Sequence, residues 1–225
     1  MNAYRPPVAL LLILAAVAPT PVAAQICLGG PPDDGEFVVG VGATTSAGNR
    51  GGFAHGRANL DGPIGLTSTM GVAETEVDGT AWVAGGALAY ELPPSRLSTC
   101  AAGGFSHSTW TDASNGSGSV LTFPGGVSVG LRSDALGGGA ELMPWVHVGG
   151  LYSRVKRPRT GTPGGGSRTQ SHLGTFMNGG ATLQLGGLFL RLGAFVTTLE
   201  EPGTTYSLEV GWRWRPQVMA AELRR

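Results

Sequence analysis

From Thr204 to Arg215 hydrophobic and polar positions alternate without a break. Tyr206, Leu208, Val210, Trp212 and Trp214 share one face, and Thr205, Ser207, Glu209, Gly211 and Arg213 share the other. Successive side chains on a β-strand point to opposite faces, so this period of two predicts a strand with one apolar and one polar side. The pattern recurs upstream. Leu188, Leu190, Leu192, Ala194 and Val196 oppose Phe189, Arg191, Gly193 and Phe195, and Leu121, Phe123, Val127, Val129 and Leu131 oppose Thr122, Ser128, Gly130 and Arg132. Alternation and turn residues together predict about ten strands, at 36–47, 51–60, 63–76, 80–92, 98–110, 119–132, 140–155, 170–185, 188–199 and 204–215. An even number of strands, each ~10 residues or longer, is what a closed membrane-spanning barrel requires. The only stretch with a hint of helical period is the tail after the last strand, and no linker divides the strands into two domains.

Composition sharpens this expectation. Only 13% of residues are charged, with Lys+Arg 15 balanced by Asp+Glu 15, and Lys156 is the only lysine. A water-covered domain has about 25% charged residues, so much of this surface is expected to avoid water. The zero net charge gives no reason to expect a nucleic-acid partner. Glycine is abundant, 39 of 225 residues, without a collagen period.

The first residues read as an export signal. Arg5 precedes the apolar run Val8 to Val17, and Val22, Ala23 and Ala24 supply small residues for cleavage before Gln25. That run is too short for a membrane helix, which needs ~20 apolar residues. The expected organisation is a signal peptide at 1–24, a leader at 25–35, the barrel at 36–215 and a short tail at 216–225. Ile26 stands where a lipid-anchored cysteine would follow a small residue, which disfavours an anchor at Cys27. In an oxidising compartment Cys27 and Cys100 can form a disulfide or remain two separate buried thiols.

Placing residue 36 on the periplasmic side puts both termini inside and the long segment 156–169 outside. Barrels of this class have short periplasmic turns and longer external loops. Pro124 and Pro144 fall within strands, where each forfeits a ladder donor; they mark bulges or displaced strand ends.

Two orientations of the wall are conceivable, and the residues favour the apolar face outward. The polar face consists of Gly, Ser, Thr and a few charges, which suits a tight lumen rather than a solvated exterior, as in a soluble carrier barrel. Trp82 and Tyr90 lie eight residues apart on one face, and Tyr206 and Trp214 repeat the spacing. On a strand tilted ~40° that is ~20 Å, close to the ~25 Å between the aromatic girdles of such barrels, and Trp212 joins the same set. In this register Arg57, Glu91, Arg132, Glu141, Arg191, Glu209 and Arg213 face the lumen, either as a structural network or as a charged constriction. Arg132 and Glu141 flank one turn as cross-strand neighbours.

Candidate chemistry is sparse. His55, His147 and His172 also point inward. No spacing resembles a metal-ligand set, so neither metal nor cofactor is expected. His107 and Ser108 are adjacent and so face opposite ways, which keeps them from acting as base and nucleophile. Arg154, Lys156, Arg157, Arg159 and Arg168 form a basic external loop that could meet anionic lipid or another anionic surface, or simply be solvated.

The signal segment, the alternating strands and the ending Val210-Gly211-Trp212-Arg213-Trp214 resemble the small bacterial outer-membrane β-barrel proteins. That resemblance implies an outer-membrane location, lipid as the surrounding partner, and recognition of the aromatic last strand by barrel-assembly machinery. The leading expectation is a non-enzymatic barrel with a structural or surface-interaction role. A narrow passive channel comes second, ahead of a barrel hydrolase or protease and a soluble ligand-binding barrel.

Overall fold

The alternation predicted along the chain closes into a single wall. A computed structural model describes residues 37–59, 63–75, 79–92, 97–112, 116–131, 140–158, 167–199 and 203–214. The strands are β1 (Phe37–Ser46), β2 (Asn49–Asn59), β3 (Ile64–Thr75), β4 (Gly79–Glu91) and β5 (Leu97–Asp112). They continue as β6 (Gly116–Leu131), β7 (Ala140–Pro158), β8 (Ser167–Leu185), β9 (Leu188–Thr197) and β10 (Thr204–Trp214). Each pairs antiparallel with its sequence neighbours, and β1 pairs with β10 to close the barrel. No helix occurs among the described residues.

Closure leaves no strand edge open, so every strand finds backbone partners on both sides. Followed once around the wall, the registers accumulate a stagger of about twelve residues, which goes with a strand tilt of ~40°. A barrel this narrow is only slightly wider than the ~8-strand size whose interior side chains fill. The end carrying Phe37 and Trp214 is called the Phe37 end below, and the opposite end the Gly48 end. Two connections are minimal. Ala47-Gly48 joins β1 to β2 with Gly48 at φ 74, and Gly186-Gly187 joins β8 to β9 with Gly186 at φ 59, left-handed values that glycine adopts without steric cost.

Both prolines are absorbed without a bulge. The β5–β6 ladder lapses opposite Pro124, between the Gly103–Gly125 and Ser106–Thr122 pairs, and resumes in the same register. Pro144 pairs with Ala181 of β8 and lies just beyond the last β6–β7 pair, Gly130–Trp145. A missing N–H therefore costs one local bond rather than a shift.

Two expectations about loops are corrected. The segment between the strands expected at 98–110 and 119–132, and the long segment 156–169, are each entered by strand from both sides: Asp112 pairs with Gly116, and Pro158 pairs with Ser167. Apolar alternation ends there, but above the apolar belt a ladder needs only its backbone bonds. Arg154, Lys156, Arg157 and Arg168 consequently stand on β7 and β8, not in a loop. At ~3.3 Å per residue and ~40° tilt, the 19 residues of β7 or β8 span about 48 Å, against about 25 Å for the 10 residues of β1.

The outer wall is the apolar one. Exposed large side chains include Phe37, Val39 and Val41 on β1, Leu66, Met70 and Val72 on β3, and Leu188, Leu190 and Leu192 on β9. The inner face instead buries Arg57, Glu91, Arg191, Glu209, His55 and His147. This inverts the polarity of a water-soluble barrel.

Candidate functional site

Chemistry-bearing side chains converge in the lumen, and the sheet register brings them together. Glu209 on β10 is the direct partner of Arg191 on β9. Arg191 Nη1 donates to Glu209 Oε2 at 3.1 Å, and its Nε donates to Thr182 Oγ1 at 3.3 Å. The guanidinium also lies over the Phe189 ring, 5.2 Å from its centroid. The other Glu209 oxygen, Oε1, is 3.4 Å from His55 Nδ1. His55 sits on β2, so its contact with β10 has to pass over β1.

Gly40 makes that passage possible. It is the β1 partner of both His55 and Gly211. A Cβ at this position would lie 2.6 Å from His55 Cε1 and 2.8 Å from Glu209 Oε1. With no side chain there, the imidazole and the carboxylate meet across an intervening strand.

Further contacts extend toward the Phe37 end. Arg57 Nε donates to Asn59 Oδ1 at 2.8 Å, and Ser98 Oγ donates to Glu91 Oε1 at 3.2 Å. Glu141 and Arg213 are half-buried on the same inner face. Arg132 lies outside the described residues, and with it the expected Arg132–Glu141 pair. Cys100 is fully buried and disulfide-bonded. Cys27 lies outside the described residues, so the Cys27–Cys100 pairing remains a proposal.

Above this charged layer, toward the Gly48 end, the lumen turns apolar. Leu151, Phe176 and Phe195 pack together, with Leu199 against them. Phe53 precedes His55 by two positions on β2, and His147 stands edge-on to Phe176 at 4.9 Å. His147 and Ser128 are 0% exposed and Glu209 is 2% exposed, so solvent does not touch these mid-lumen side chains. Nearer the rim, Trp110, Val120, Val155 and Ala81 make a second apolar layer. Parity expects charges on this face but does not single out these stacked apolar layers. The alternation did contain them: Phe53, Phe176 and Phe195 all fall on the nominally polar face.

The remaining candidates lie elsewhere. Trp82, Tyr90, Tyr206, Trp212 and Trp214 all point outward and are exposed, and Trp214 stacks on Phe37 at 5.8 Å. His107 faces outward while Ser108 is buried inside, so the wall separates them. His172 is half-buried on the inner side of β8. Arg154 and Lys156 are exposed on the outer face of β7, whereas Arg157 is partnered across the ladder by Arg168. Arg159 lies outside the described residues. No cluster of potential metal ligands occurs among the described residues.

Fold and polarity define a closed, antiparallel ten-stranded barrel that is oily outside and polar within. No family model and no curated protein matches the chain. Solved structures it is similar to include LpxR from Salmonella typhimurium, at 8% identity over 78% of this chain and 99% of that one, with a TM-score of 0.44. The translocator domain of autotransporter NalP from Neisseria meningitidis is 14% identical over 84% of this chain and 90% of that one, TM-score 0.42. The N-terminal β-barrel domain of Pseudomonas aeruginosa OprF is 10% identical over 80% and 98%, TM-score 0.41. These are likenesses of barrel architecture and assign no role.

Proposed function

We propose that this chain is an integral outer-membrane β-barrel with a structural or surface-directed role rather than a catalytic one. The observation that carries the reading is the inverted wall. Large apolar side chains cover the outside, and a buried ionic layer sealed by aromatic residues fills the inside. In hydrocarbon every backbone polar group needs an internal partner, a demand that closure of β1 onto β10 meets. The export segment expected at 1–24 and the aromatic last strand fit the same location, with barrel-assembly machinery as the partner that would insert it.

A filled lumen favours a wall-like or surface role over solute passage. The wall between His107 and Ser108 weighs against the one hydrolase pair suggested by the chain. Membrane fractionation, with electrophoresis before and after boiling, tests the location. A heat-dependent mobility change in the outer-membrane fraction is expected, and recovery in the soluble periplasm would reject the proposal. Reconstituted in planar bilayers, the protein should show no stable unit conductance. A steady conductance whose ion selectivity changes in Arg191→Gln would favour the narrow channel instead.

A further inference from the structure

The cations of the β7–β8 hairpin divide between the two sides of the wall. On the outer face of β7, Val146, Val148 and Tyr152 lead upward to Arg154 and then Lys156. Tyr152 marks the change of surface. Its hydroxyl donates to Ser171 Oγ at 3.0 Å, and its ring lies 6.3 Å from that of Phe123. Leu173, 83% exposed, stands beside it as the cross-strand partner of Tyr152. Immediately above, Arg154 pairs with Ser171 and Leu121, and Lys156 with Thr169 and Ser119. The outer wall here is an apolar and aromatic floor beneath a shelf of two cations flanked by hydroxyls.

Nothing on the neighbouring strands balances that charge. The chain contains no Asp or Glu from residue 142 to residue 199, and β6 contains none either. The other described outer-wall cation, Arg50, is by contrast paired with Glu74 at 3.0 Å. Resting on the membrane reading above, we infer that this shelf binds the phosphate of an anionic lipid in the surrounding leaflet. The acyl chains of that lipid would lie on Phe123, Tyr152 and Leu173, and the phosphate would take charge-assisted bonds from Arg154 and Lys156. The lipid-facing side of the wall and the position of the cations one and two outward residues above Tyr152 commit the site to a membrane lipid rather than a soluble anion.

Native mass spectrometry of the full mature protein, released from micelles containing equal phosphatidylglycerol and phosphatidylcholine, tests this. The protein is expected to retain phosphatidylglycerol preferentially. Arg154→Gln/Lys156→Gln should reduce that preference by about thirtyfold, given the attraction of each basic residue to an anionic surface. Arg50→Gln should leave it unchanged. Equal retention of the two lipids, or a preference that survives in the double variant, would overturn the site. Excess inorganic phosphate should not displace the lipid; displacement would mean that a soluble anion is the ligand and would also overturn it. Boiling-dependent mobility is recorded for every variant. A normal shift without lipid preference defeats this inference alone, whereas loss of the shift in the unmodified protein defeats the membrane reading beneath it.

Discussion

Gly40 shows how much one absent side chain decides. His55 and Glu209 belong to strands that are not neighbours, and only the bare backbone of β1 between them allows 3.4 Å contact. Gly40→Val should force both side chains aside and lower the barrel's resistance to urea, read as the midpoint at which its compact band disappears on unboiled gels. Gly52, whose hypothetical Cβ would make only an ordinary contact with Gly42 O at 3.8 Å, is the control and should tolerate alanine. The Arg191–Glu209 pair makes a second claim. Leaving a buried charge without its partner costs about 3–5 kcal/mol, whereas replacing both by apolar residues is often close to neutral. Glu209→Leu should therefore destabilise strongly and Arg191→Met/Glu209→Leu much less. Additive losses in that cycle would remove the pair from the account.

Among the elements, β6, β7 and β8 extend furthest beyond what the chain announced. Period-two alternation marked ten strands within a few residues of their true ends, because lipid outside and a packed lumen inside impose opposite demands on successive positions. Above the belt those demands lapse. Ser, Thr, Arg and Lys there carry no hydrophobic signal, yet their backbones pair on through Pro158 and Ser167. The same reasoning explains what was legible in the lumen. Arg57, Glu91, Arg191 and Glu209 could be placed by parity, but their partners could not, since the His55–Glu209 contact depends on the closing β1–β10 register. Because the hairpin lies beyond the apolar belt, it should be dispensable for folding. Replacing residues 157–168 by Asn-Gly should preserve the boiling-dependent mobility change, and loss of that change would show the hairpin to be part of the barrel's stability.

For the molecule as a whole, the decisive property is which side of the wall each tryptophan occupies. Trp82, Trp212 and Trp214 are on the outside, and Trp82 is 67% exposed; Trp110 and Trp145 are buried inside. Variants retaining one tryptophan at a time, reconstituted in bilayers of brominated lipid, should separate into two groups. Fluorescence from Trp82, Trp212 and Trp214 should be strongly quenched, and that from Trp110 and Trp145 protected. Uniform quenching, or quenching of the inner pair alone, would reverse the wall and with it the proposed location.

The turn at Ala47-Gly48 has a consequence for what meets the cell's surroundings. It ends a 10-residue strand, while the ladders of β5 to β8 climb well beyond it, so the rim is oblique. The low flank would sit sunken among headgroups and sugars, and the tall flank would form a parapet. An epitope tag inserted after Gly48 should stay hidden from antibody on intact cells, while one placed just before Ser167 should be stained. Whatever docks from outside would then have a single direction of approach.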